Sequence, residues 1–172
     1  MPWTRDQRIA VIGCGNANRT DDAAGIEVVK LLKMSPALSE RPDVQLLDAG
    51  TDGMSVMFAA RGCTTLFIVD ACWTEAEAGA VFEVPGSKAE TQFSPSLNLH
   101  EFRWDHALHA GRQIYKEAFP SDVTAYLIEA HSLELGCGLT SDVSRAVALV
   151  AQRIEARIMG SAVNEPCREA RP

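Results

Sequence analysis

The sequence predicts an α/β protein: a three-layer αβα sandwich built on a mostly parallel, twisted, five-stranded sheet with helices on both faces. Three observations predict it. Short apolar runs recur at residues 8–13, 44–50, 64–71, 79–84 and 123–130, and segments of helical periodicity separate most of them. The run "TTLFIVDA" is almost continuously apolar, as expected of a strand buried on both faces of a parallel sheet. Strands that alternate with helices require right-handed crossovers, which place helices on either side of the sheet.

The first strand, "RIAVIG" (8–13), leads into a helix over 22–34 in which Ile26, Val29 and Leu32 or Lys33 recur at helical spacing. A second strand, "VQLLDAG" (44–50), precedes the small-residue helix "GMSVMFAAR", and strand three (64–71) ends in Asp70. A shorter strand at 79–84 is followed by a polar loop, "PGSKAETQFSPSLN", long for a connection within a compact domain. From His100 to about Ala118 the pattern is helical, with Leu108, Gly111, Ile114, Tyr115 and Ala118 as the expected buried face. Strand five (123–130) and a helix over 140–159, capped by Thr140 or Ser141, complete a single domain spanning 1–160. Residues 161–172 read as a loose tail.

Composition narrows the function. A net charge of -7 disfavours nucleic acid, whose binding needs clustered Lys and Arg. No apolar stretch approaches the roughly 20 residues of a membrane span, and the start of the chain lacks a secretory signal. Five cysteines without a C-x-x-C pair indicate neither a disulfide framework nor a zinc ribbon, so a reducing, cytoplasmic setting is expected.

Functional crevices of open α/β sheets lie beyond the carboxyl ends of the strands. There the chain places Asn16, Asp21 and Asp22 after strand one, then Asp48, Thr51 and Asp52 after strand two, with Asp70 ending strand three. His100 and Glu101 follow strand four, and His131 and Glu134 follow strand five as shapers of a cleft. Carboxylates with an imidazole suit zinc, nickel, manganese or iron. Asp21 and Asp22 are equally placed to cap a helix and complement its dipole. Asp70, at the end of an apolar strand, is costly to bury unless it faces the crevice. His106 and His109 read as solvated helix residues, and Cys14 and Cys72 as small buried thiols. "GCGNAN" begins like a dinucleotide fingerprint but has Asn18 at the third glycine position, and Asp21 and Asp22 would repel a pyrophosphate.

The run "IAVIGCGNANRTDDAAGIEVVKLL" resembles the opening of the nickel-iron hydrogenase maturation proteases, where G-x-G-N precedes an acid pair and a glycine. The likeness continues through "LLDAGTDGMSVM", "LFIVDA", "NLHEFRWDHAL" and "HSLELGCGLT", in order and over most of the chain. The resemblance implies a three-layer fold and a metal-dependent hydrolase classed with aspartic-type endopeptidases. Its expected partner is a nickel-loaded hydrogenase large-subunit precursor, from which it removes a C-terminal extension. The family's metal ligands, which are also its catalytic residues, fall on Asp22, Asp70 and His100. Nickel is expected to arrive within the precursor, other divalent metals being able to substitute. A non-catalytic nickel-sensing assembly chaperone would need the same residues, and the oligomeric state is left open, a monomer included. Two departures stand out: "HEFRWDHALHAGR" carries an Arg, a Trp and extra histidines where the family has a more apolar helix start, and His106 replaces an acid slightly downstream.

Overall fold

Side-chain alternation sorts each central strand onto two faces, and each face has its own layer of helices. In a computed structural model, which describes residues 8–92 and 101–160, the strands are β1 (Ile9–Cys14), β2 (Val44–Gly50), β3 (Thr65–Cys72), β4 (Val81–Pro85) and β5 (Asp122–Glu129). They form one sheet in the order β2-β1-β3-β5-β4. β1 pairs in parallel with β2 and β3, and β3 with β5, whereas β4 runs antiparallel to β5.

Val11, Phe67, Val69, Tyr126 and Ile128 point to one face, against α1 (Ala24–Lys33), the short α2 (Pro36–Ser39) and α6 (Ser141–Ile158). Ala10, Ile12, Leu66, Ile68, Val123 and Ala125 point to the other. They meet α3 (Gly53–Ala60), the short α4 (Gly86–Ala89) and α5 (Trp104–Tyr115). Strands covered on both sides can be apolar at every position, which is why β3 reads as a continuous hydrophobic run. Among the described residues no helix is long and apolar enough to cross a membrane.

Several boundaries differ from expectation for identifiable reasons. The expected helix over 22–34 opens instead as a 3-10 turn, Thr20–Ala23, so Asp21 and Asp22 precede α1. The buried stripe of α5 is Trp104, Ala107, Leu108 and Gly111. Ile114, expected to be buried, is 61% exposed. After Tyr115 the chain reverses through Lys116, at φ 49°, and the ring of Phe119 rather than Ile114 covers Gly111. Part of the expected loop after strand four is α4, and residues 93–98 of that loop lie outside the described residues, as do His100 and the tail 161–172.

One close approach fixes where α1 begins. A Cβ on Gly25 would stand 2.1 Å from the carbonyl oxygen of Val69 and 2.5 Å from that of Cys14, and a Cβ on Gly13 would meet Gly25. With hydrogens there instead, α1 lies directly on β1 and β3. Backbone atoms on both sides leave little to yield, so Gly25→Ala is expected to cost at least about 3 kcal/mol of unfolding free energy, measured by urea denaturation.

Candidate functional site

The connection from β1 to β2 passes over the sheet face that α1 covers, and the connection from β2 to β3 passes over the opposite face with α3. The chain thus leaves the carboxyl ends of the neighbouring strands β1 and β2 toward opposite faces of the sheet, and a crevice opens at that carboxyl edge. A cleft of about 590 Å³ lies there, lined by Cys14 at the end of β1 and Gly15 and Asp22 after it, by Thr51 and Asp52 after β2, by Asp70, Cys72 and Trp73 from β3 and the turn beyond it, and by Arg103, Trp104 and Leu133.

Asp70 is the fixed point of this cleft. Its side chain is 8% exposed. The Trp104 indole N–H donates to Oδ2 at 2.7 Å, an Arg103 Nη2 donates to the same oxygen at 3.3 Å, and the Ala71 N–H donates to Oδ1 at 2.9 Å. Burial raises the carboxyl pKa to about 6; the Trp104 hydrogen bond and the Arg103 charge oppose that rise, and the negative Asp22 adds to it. Gly15, at φ 128°, brings the two acids to one place: a Cβ there would lie 1.8 Å from the carbonyl oxygen of Asp22 and 3.7 Å from Asp70 Oδ1.

The adjacent acids separate. Asp22 lines the cleft, while Asp21 is fully buried away from it. Asp21 accepts from the backbone N–H groups of His131, Ser132 and Thr140 and from the Thr140 hydroxyl. Burial alone would raise its pKa, but these donors outweigh it and hold the carboxyl below the usual aspartate value. Asp21 therefore anchors the loop 131–140 to the turn after β1. Thr20 adds to this anchor, its hydroxyl donating to the Ser132 carbonyl at 2.7 Å.

The remaining candidates take structural positions. Asp48 accepts from the Gly50 N–H, and Asp52 caps α3 by accepting from the Met54 N–H. His106 Nδ1 accepts from the Arg103 N–H at the start of α5 and its ring stacks on Phe102. His131 and Glu134 are exposed; their loop reaches the cleft through Leu133 instead. Cys14 is buried, and Cys72, at the cleft wall, donates to Glu129 and is pushed up to about 12, chiefly by burial. Thr140 stands at the N-cap position of α6, but its side chain makes no capping hydrogen bond; its hydroxyl donates to Asp21 instead. Among the described residues no three His, Cys, Asp or Glu side chains converge as a metal site. His100 lies outside the described residues.

Two features escaped the sequence reading. Arg103 and Trp104 were visible only as departures around the histidine, not as donors to Asp70. Glu129, 1% exposed, binds the Thr74 N–H and hydroxyl and fixes the turn after β3. It carries the same signal as Asp70, an acid at the end of an apolar strand, and that signal could have found it.

A family model described as HycI, hydrogenase maturation protease, matches residues 26–157. The chain is 30% identical over 165 residues to the hydrogenase 2 maturation protease of Escherichia coli K12, an alignment covering 95% of this chain and 98% of that protein. It is also 30% identical over 166 residues to the coenzyme F420 hydrogenase subunit delta of Methanothermobacter thermautotrophicus, covering 90% and 95%. Among solved structures, the hydrogenase maturating endopeptidase HybD from Escherichia coli is similar with a TM-score of 0.71 at 26% identity, covering 90% of this chain and 94% of that one.

The separation of the acid pair has a measurable consequence. Asp21→Asn places an amide where four donors converge and is expected to cost about 2–4 kcal/mol in urea denaturation, whereas Asp22→Asn should stay within about 0.5 kcal/mol of wild type. The lowered pKa of Asp21 means its contribution is complete above about pH 4 and is lost as the pH falls through the lowered value. The difference between wild type and Asp21→Asn should therefore shrink only on the acid side.

Proposed function

This chain belongs to the hydrogenase maturation protease family, and from that premise we propose that it removes the C-terminal extension of a nickel-iron hydrogenase large-subunit precursor after nickel has been installed. The observation that carries the reading is the convergence of Asp22, from the loop after β1, and Asp70, from the end of β3, on one cleft. A phosphate would be repelled by this pair, whereas a divalent cation would be attracted. Carboxylate oxygens completed by the imidazole of His100 form a donor set that nickel accepts, and cadmium or zinc could stand in for it.

Nickel is then part of the substrate. Asp22, Asp70 and His100 approach an ion that the precursor already holds, and the remaining coordination positions belong to the precursor's own ligands. Recognition and registration are one event, because the ion fixes the distance from the cleft to the scissile bond. The cleft supplies positioning, and a cation beside the scissile carbonyl supplies electrostatic stabilisation of the developing charge.

Intact-mass spectrometry of the nickel-loaded large subunit tests this. Incubation with the wild-type protein should release one C-terminal peptide, and metal-free precursor should remain uncut. Asp22→Asn, Asp70→Asn and His100→Ala should each slow release at least about hundredfold. A precursor that stays uncut with nickel in place removes the proteolytic reading; a stable complex in that case indicates an assembly chaperone.

A further inference from the structure

Arg103 stands in the cleft without a part in the reading above. Its guanidinium contacts Asp70 Oδ2 at 3.3 Å, on the oxygen that Trp104 also holds. The two ends of this ion pair differ sharply in freedom: the Asp70 side chain is 8% exposed and that of Arg103 is 64% exposed. The carboxylate cannot move away, but the arginine can. A second carboxylate lies within its reach, since Asp105 Oδ1 is 3.9 Å from Arg103 Nε. That oxygen is buried and, among the described residues, has no hydrogen-bond partner.

We propose that Arg103 is a specificity-determining placeholder, occupying Asp70 in the free protein and yielding it to a cation presented by the precursor while turning to Asp105. This rests on the reading of Asp70 as a ligand of the precursor's metal. A guanidinium keeps its proton throughout the physiological range, so the competition is always present. A divalent ion arriving alone must shed water and displace the arginine with little in return but the carboxylates of Asp22 and Asp70. An ion held in the precursor arrives with its own ligands and with protein surface to bury, which offset the exchange. Arg103 thereby lowers affinity for free metal without closing the site to the metal-bearing substrate.

The test is isothermal titration of the protein with cadmium chloride or nickel chloride alone, in wild type, Arg103→Gln, Arg103→Lys and Asp70→Asn. Arg103→Gln should bind free metal about five- to tenfold more tightly than wild type, the range expected for loss of one partly exposed charge-assisted contact. Arg103→Lys, which keeps a cation at the rim, should remain closer to wild type. Arg103→Gln that takes up metal no better than wild type, or not at all, overturns the placeholder. Asp70→Asn separates the two ideas. If it abolishes metal uptake while Arg103→Gln changes nothing, the placeholder alone fails; if it leaves uptake unaltered, Asp70 is not a ligand and both readings fall.

Discussion

A carboxylate sealed inside the protein holds the carboxyl edge of this sheet together. Asp21 is fully buried and draws three backbone N–H groups and a hydroxyl from the segment that follows β5. Each of those donors would otherwise need water, and the carboxylate would otherwise have to be neutralised, so neither side of the contact is stable without the other. The result is a brace between the first and last strand connections. It forms one shoulder of the cleft and sets the loop that brings Leu133 to the cleft wall.

With that shoulder fixed, the acids inside the cleft can be kept in an unfavourable state. Asp70 is buried, close enough to Asp22 for the two charges to repel, and compensated by an indole N–H and a guanidinium. Such a carboxylate gains more from a multivalent cation than a hydrated one would, because its burial has already been accomplished by folding. Glu129 performs a similar service one strand over, fastening the turn that carries Trp73 into the wall.

The sheet and its helices were legible because periodicity is a property of side chains, and side chains are what a sequence records. Asp70 was legible for the same reason, as a charge ending an apolar run. Asp21 and Asp22 were not separable: adjacent residues of a 3-10 turn point about 120° apart, and which one faces inward depends on donors that arrive from more than a hundred residues away. Those donors are mostly backbone N–H groups, which any residue supplies, so no residue pattern marks them. His131 and Glu134 attracted notice through their side chains, while His131 contributes its amide. Arg103 and Trp104 were visible as unusual residues, but their convergence on Asp70 depends on where α5 docks against the sheet.

The reversed strand at the sheet edge shapes how the last part of the site is delivered. Because β4 runs antiparallel, Pro85 ends beside Thr124, at a lower level of the sheet than Asp70. Trp104, at the start of α5, nevertheless meets the aspartate at the carboxyl edge. α5 is placed there by packing against α3 rather than by strand register, unlike Asp70, which is a residue of β3 itself. Exchanges at Arg103 or Trp104 therefore change the lining of the cleft while the strand that carries Asp70 keeps its register. The cleft thus has one half set by strand pairing and another set by how a helix docks on the sheet.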